Sequence, residues 1–310
     1  MRSSLFPCTV FGCRFYKNEF TYMNIGKRRK GRFPIRKEKR IILFVLLLIL
    51  DAAAIPKLKS DAAYFSMGKH TMERKEFRAH ELTDDFVRYL RRSEEPGRDV
   101  GIFLAEDLLQ GRQMRPPFKA KDFQKAEREW KKNPCYSDYK AACESIWNDV
   151  KYFPVMISEN DPDLAVNYGD SWMSERTYGG TRGHEGADLM ASKNERGLYP
   201  IVSMTDGVVT SRGWLPKGGW RIGITSPHGG YFYYAHLDSY ADAREGDTVK
   251  AGDIIGYMGD SGYGEEGTTG KFPVHLHLGI YLLEGNREIS INPYWILRYI
   301  ENSKLKCVYS

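Results

Sequence analysis

Residues 273–281 read PVHLHLGIY. In an extended chain alternate side chains share a face, so His275 and His277 point one way while Val274, Leu276, Leu278 and Ile280 point the other. One face is for packing and the other for something polar. Two imidazoles about 7 Å apart at the backbone can bind one ion together, or divide the labour between ligand and base. Spacing alone leaves both readings open. Upstream, GHEGAD sets His184 and Asp188 four apart around Gly186. On a straight strand that pair would be about 13 Å apart, too far to share an ion. A bend of the kind glycine permits brings them together, and His and Asp are both good zinc ligands. A third setting is YFYYAHL, where β-forming aromatics end at His236. Each piece alone is weak. Their weight comes from occurring together, in this order, between positions 184 and 277. His228, in SPHGG, reads as a turn residue, and His70 and His80 lie in polar and helical surroundings that suggest no ligand role.

These residues need a scaffold, and the chain supplies a β-rich one from about residue 155. Glycine becomes frequent there, and short β-forming runs alternate with turn signals at 200–204, 207–211, 220–225, 231–236, 253–258 and 274–281. This is an antiparallel β domain over about 160–300, closed by a helix over 293–301. Residues 76–155 carry helical periodicity instead, clearest in Tyr139, Cys143, Ile146, Trp147 and Val150. Pro134 closes one helix there and Ser137 can cap the next. The acid pair Glu94 and Glu95 reads as a solvated turn. Residues 57–75 are polar and aperiodic, as a linker would be.

The chain has 310 residues, 42% hydrophobic, with a formal net charge of +6. Much of the excess lies in Lys27, Arg28, Arg29, Lys30, Arg32, Arg36, Lys37, Lys39 and Arg40, immediately before the apolar run IILFVLLLIL at 41–50. A basic block followed by an apolar run is the arrangement of an export signal or membrane anchor, here 41–56, with a basic cytoplasmic segment at 1–40. The basic residues therefore say little about nucleic acid, and the β half has no comparable block. Met23 is an alternative start to the basic region. Of five cysteines, Cys135 and Cys143 could pair in an oxidising compartment, but free thiols in a helical region explain them as well. No CxxC pair exists for a thiolate zinc knuckle.

The order HxxxD, YAHL, HLH resembles the lysostaphin-type, LytM-like zinc endopeptidases of bacterial cell walls, a duplicated hybrid motif family. The resemblance runs from Tyr178 to Tyr281 and takes in YGGTRGHEGADLMA, SMTDGVVTSRGW and EGDTVKAGDIIGYMGDSGYG. It implies an α+β chain whose distal antiparallel domain holds one zinc ion through His184, Asp188 and His277. It makes His236 and His275 a nonligating catalytic pair and places Tyr178 near the scissile carbonyl. Peptidoglycan peptides would be the substrate, cut outside the cytoplasm by a single-pass or secreted protein. Family members often follow HLH with Phe and Glu, where this chain has Leu278 and Gly279; the departure touches substrate contacts rather than the ligands. Asn167 matches only in residue type the asparagine that blocks zinc in latent members. The groove walls are expected from loops 214–220 and 263–272, with Trp172 and Tyr178, and Glu265 and Glu266 could meet a substrate amine. Two rival readings are an inactive activator of another wall hydrolase, which would lack ligands, and a biotinyl-like carrier, which would need a lysine where the turn has Asp260, Ser261 and Gly262.

Overall fold

The polar stretch that follows the apolar run is helical. In the computed structural model, which describes residues 37–285 and 287–310, helix α1 runs Lys37–Ser66. It passes through the boundary at which a linker was expected, because residues 57–66 contain no glycine and include Ala, Leu and Lys, which favour helix. Only turns at 67–74 remain of the expected linker. Ile41 to Leu50 are exposed, and Asp51 ends the apolar run. Among the described residues no helix is long and apolar enough to cross a membrane. Cys8, Cys13, Met23 and the basic residues up to Arg36 lie outside the described residues. Among the described residues, 37–53 belong to a different unit from the one that begins at residue 54.

Five further helices make up the helical module: α2 Lys75–Ala79, α3 Asp84–Leu90, α4 Pro96–Gln110, α5 Ala120–Trp130 and α6 Tyr136–Trp147. Thr83 caps α3, its hydroxyl accepting from the Phe86 N–H at 3.2 Å. Gly111 ends α4 in the left-handed region at φ 61°. α6 begins at Tyr136 after Cys135, with no side-chain cap; Ser137, expected to cap it, sits inside the first turn and faces Asp138. Cys135 and Cys143 are free thiols. Glu95 pairs with Arg98, whose guanidinium also holds the buried Asp99 carboxylate at 2.7 Å. Phe86, Phe123, Trp130, Tyr139 and Trp147 are fully buried, each worth about 2–3 kcal/mol of apolar burial. His80 joins them: it stacks against Trp147 and sits edge-on to Phe77.

The rest is built on an antiparallel sheet. Its elements in chain order are β1 Ile157–Ser158, β2 Val166–Asn167, β3 Glu175–Arg176, β4 Arg182–Gly183, β5 Ala187–Ala191, β6 Pro200–Val202, β7 Gly207–Leu215 and β8 Gly219–Thr225. Then come β9 Tyr231–Tyr240, β10 Thr248–Val249, β11 Ile254–Met258, β12 His275–Glu284, β13 Arg287–Ile291, helix α7 Tyr294–Ile300 and β14 Lys306–Cys307. The main path is β10-β7-β8-β9-β12-β5-β2; β11 joins β6 to β9, and β13 pairs β12. β3 and β4 form a separate hairpin, and β14 pairs in parallel with β1, so the domain closes beyond residue 300. Alternation holds over 274–281, where Val274, just before β12, and Leu276, Leu278 and Ile280 on it are at most 2% exposed.

The helical module and the sheet share one hydrophobic core. At their junction the Arg78 guanidinium donates to the Ser290 carbonyl at 3.0 Å, the Ser290 hydroxyl at 2.9 Å and the Glu185 carboxylate at 3.1 Å. The Asn292 N–H donates to the Arg78 carbonyl at 2.8 Å. Asp149 at the end of the module accepts from the backbone N–H of His228 at 2.8 Å and lies 2.7 Å from its imidazole.

Candidate metal centre

Strand register brings the first two site residues together. His277 on β12 lies directly opposite Asp188 on β5, and its Nδ1 is 3.1 Å from Asp188 Oδ1. The third arrives by the bend at Gly186. This residue separates His184, just after β4, from β5, and it lets the chain fold so that His184 Nε2 comes 3.0 Å from Asp188 Oδ1 and 2.9 Å from His277 Nδ1. A side chain at 186 is sterically excluded: a Cβ there would lie 2.5 Å from His277 Cε1 and 2.6 Å from the Leu278 carbonyl oxygen. His184 is held from behind as well. Its N–H donates to the Ser174 carbonyl, its carbonyl accepts from the Met173 N–H, and its Nδ1 lies 3.1 Å from the Ser171 carbonyl. That carbonyl requires the hydrogen on Nδ1, so Nε2 presents a lone pair to the cluster.

Three donor atoms therefore form a triangle about 3 Å on a side, a donor set that fits a divalent cation with arms of about 2.0–2.2 Å. Charges within the cluster are perturbed as well. Burial alone would push the Asp188 carboxyl up, but hydrogen bonds and charge from His184 and His277 outweigh it and hold it far below the usual carboxylate range. Burial lowers His277, against the opposing pull of Asp188.

His236 reaches the same place by an irregularity. Opposite β8, register passes from Trp220↔Leu237 to Ile222↔Tyr234, so β9 carries one extra residue. His236 occupies the bulge at φ 62°. Plain alternation would send His236 into the core with Tyr234; the bulge turns it onto the face of Tyr233, as bulges commonly re-aim a side chain. Its ring is 4.8 Å from His275 and 5.9 Å from His277. His236 Nδ1 lies 2.7 Å from the Ser261 carbonyl, and His275 Nδ1 lies 2.7 Å from the Pro273 carbonyl. Both imidazoles thus take the same tautomer, with the hydrogen on Nδ1 and a lone pair on Nε2. Burial, with the neighbouring imidazoles, keeps His236 well below the ordinary histidine pKa. Phe272 packs edge-on against both rings.

All five residues line one groove of about 480 Å³. Its floor is paved with aromatics lying across glycines: a Cβ on Gly223 would strike Tyr231, and one on Gly279 would strike Tyr281. The expected walls are only partly present. Leu215, Lys217, Gly218 and Tyr263 line the groove, from the two expected loops, but Glu265 and Glu266 do not. Tyr178 stacks flat on Tyr263 at 4.0 Å, 40% exposed, and it is Tyr263 that faces the groove. Trp172 bonds Ser290 and packs under Arg78 instead of lining the groove. Asn167 is exposed on β2 opposite Met190 and does not line the groove. Among the described residues, none from the helical module lines the groove. Sequence reasoning missed Arg176, Arg182 and Arg221, which do; a search for basic residues flanking the metal motif could have found the first two.

A model of peptidase family M23 matches residues 182–293, and a model of the LytM N-terminal domain matches residues 64–149. A crystal structure described as that of a glycyl-glycine endopeptidase, LytM, from Ruminococcus gnavus ATCC 29149 is 56% identical, covers 80% of this chain and 99% of that one, and aligns with a TM-score of 0.75. The chain belongs to peptidase family M23. The M23 match takes in all five site residues, and the second match coincides with the helical module. The L-Ala–D-Glu endopeptidase of Bacillus subtilis (strain 168) is 46% identical over 133 residues, 43% of this M23 chain and 40% of its own length. The glycyl-glycine endopeptidase ALE-1 of Staphylococcus capitis is 32% identical over 109 residues, 31% of this chain and 29% of its own. The chain thus spans less than half the length of either relative.

Proposed function

We propose that this M23 chain is a zinc metalloendopeptidase that hydrolyses amide bonds in the peptide stems or cross-bridges of bacterial peptidoglycan. The observation that carries the reading is the convergence of His184 Nε2, Asp188 Oδ1 and His277 Nδ1 within 2.9–3.1 Å of one another, beside two imidazoles of matched tautomer. His184, Asp188 and His277 would hold the ion, which supplies Lewis acidity and a bound water of lowered pKa.

The chain's own groups do the rest. In the tautomer that the Ser261 and Pro273 carbonyls select, His236 and His275 each offer an Nε2 lone pair, so each can accept a proton there, then donate a hydrogen bond to developing negative charge, and return the proton to the leaving amine. Burial of His236 keeps it neutral, and so ready as a base, at neutral pH. The aromatic floor excludes water from an extended peptide and fixes its path past the two imidazoles. Tyr178 would act through Tyr263, which it braces, rather than through the scissile carbonyl.

Such a substrate lies outside the cytoplasm. The basic block and apolar run before residue 54 support delivery there, as a cleaved signal or a membrane attachment. The test is digestion of purified walls of defined bridge chemistry by the intact protein, with new amine ends identified by mass spectrometry. Zinc-dependent release of stem or bridge amines, abolished by a chelator and restored by zinc, is expected. Release that is indifferent to chelation, or no release, would overturn the reading.

A further inference from the structure

The groove carries more positive charge than metal binding requires. Four cationic side chains line it: Arg176, Arg182, Lys217 and Arg221. Arg176 is committed, its Nη2 lying 2.6 Å from Asp188 Oδ2. Among the described residues no carboxylate lies within ion-pair distance of the other three. On the acidic side Glu185 is taken up by Arg78 at 3.1 Å, so Glu288 is the one lining carboxylate left unpaired.

Two of the free cations also hold donors that neither solvent nor protein satisfies. Arg221 Nη1 and Arg182 Nε are shielded from solvent and have no hydrogen-bond partner. Both side chains nonetheless line the groove and are only half-buried, and a guanidinium fork matches a carboxylate better than any neutral group does. Arg221 is fixed in place from its backbone. Its N–H donates to the Tyr240 hydroxyl at 3.1 Å, and its carbonyl accepts from that hydroxyl at 2.9 Å. Its register partner on β7 is Gly213, so no side chain from that residue covers it.

We propose that the cationic lining supplied by Arg182, Lys217 and Arg221 gives the groove a subsite for a free carboxylate of the substrate, so that the peptide this groove takes is an anionic stem rather than an uncharged glycine bridge. The proposal rests on reading the groove as a peptide cleft, and it deepens that reading. A γ-linked glutamyl residue leaves its α-carboxylate free beside the chain, and a stem peptide can also end in a carboxylate. Either group brings the charge that three unpaired cations select; oligoglycine within a bridge brings none.

The test separates the two carboxylate sources, and separates binding from cleavage. Three forms of acetyl-L-Ala-γ-D-Glu-L-Lys are made: glutamyl acid with terminal amide, glutamyl amide with terminal acid, and both amides. Each is also made as a ketomethylene isostere that cannot be hydrolysed, and its binding to the intact zinc-loaded protein is measured by calorimetry. At least one acid form should bind about tenfold or more tighter than the double amide, the scale of one charge-assisted hydrogen bond. Which form does so identifies the carboxylate. Arg221→Gln should abolish the preference while changing affinity for the double amide less than about twofold, which also shows that the variant is folded; Arg182→Gln should weaken it. Equal binding of acids and amide by the unaltered protein, or a preference that survives both substitutions together, overturns the subsite. Selective binding of an acid isostere without cleavage of its parent peptide would leave the subsite standing and remove the peptidase reading. Cleavage indifferent to charge would do the reverse.

Discussion

The two oxygens of the Asp188 carboxylate have different partners: Arg176 Nη2 lies 2.6 Å from Oδ2, while Oδ1 faces His184 and His277 at 3.0 and 3.1 Å. The guanidinium thereby turns one oxygen, and one only, toward the cluster. Outer partners of this kind orient a ligand, and their loss typically weakens metal affinity or activity by about 10–100-fold. Arg176→Met should therefore weaken zinc binding by at least tenfold in competition with a chromophoric chelator. An affinity within twofold of the unaltered protein would leave Arg176 a surface ion pair.

Gly186 makes the opposite kind of contribution, by what it lacks. Gly186→Ala puts a methyl group 2.5 Å from His277 Cε1 and 2.6 Å from a backbone oxygen, and overpacking of that sort costs about 1–3 kcal/mol. The strain falls on the His184, Asp188 and His277 cluster rather than on the core. The variant should keep the far-ultraviolet dichroism of the parent and lose most of its bound zinc. Zinc content equal to that of the parent would show that the bend tolerates a side chain.

The five site residues should divide in two by metal content. His184→Ala and His277→Ala should purify without zinc. His236→Ala and His275→Ala should retain it yet lose at least about 100-fold in kcat, the usual share of a general acid or base. Atomic emission on the four variants decides the matter, and loss of zinc from His236→Ala would move that residue into the ligand set.

A separate pH dependence is built into the helical module. His80 is fully buried, its Nδ1 lies 2.6 Å from the Phe77 carbonyl, and its Nε2 has no partner. Burial, outweighing that carbonyl, pushes its pKa down to about 4. As pH falls through about 6.5 the unfolded chain takes up the proton first. Stability should then decline between about pH 6.5 and pH 4 and level off below, by up to about 3 kcal/mol from this group. Denaturant titrations of His80→Asn, a residue tolerated at positive φ, should show a shallower decline over that interval. An identical decline would assign it to carboxylates elsewhere.

What could be read before folding was whatever is local. The HLH alternation and the glycine between His184 and Asp188 are properties of short segments, and the triangle of donor atoms follows from them once β5 and β12 pair. The strands and the closing helix were legible for the same reason, since glycine-rich turns and apolar alternation act over a few residues. His236 was legible only through family resemblance: its own strand period points it into the core, and a bulge overrides that period. The side chains around the cluster were not legible. Tyr178 finds Tyr263 and Arg176 finds Asp188 only because the β3–β4 hairpin folds back over the sheet. Glu265 and Glu266 sit in an expected loop yet do not line the groove, because proximity along the chain does not say which side of a loop points inward. The linker was misread for a plainer reason, since polar residues without periodicity still propagate a helix when nothing breaks it.

Arg78 binds Glu185, the residue that follows His184, and stitches the helices to β13. Severing the chain near residue 155 would therefore strip the catalytic half of the Arg78 tie and bare the apolar flank on which α6 rests. A chimera that exchanges the helical half between homologues must import a matching β13 along with it, or its zinc site will be assembled on a frayed edge.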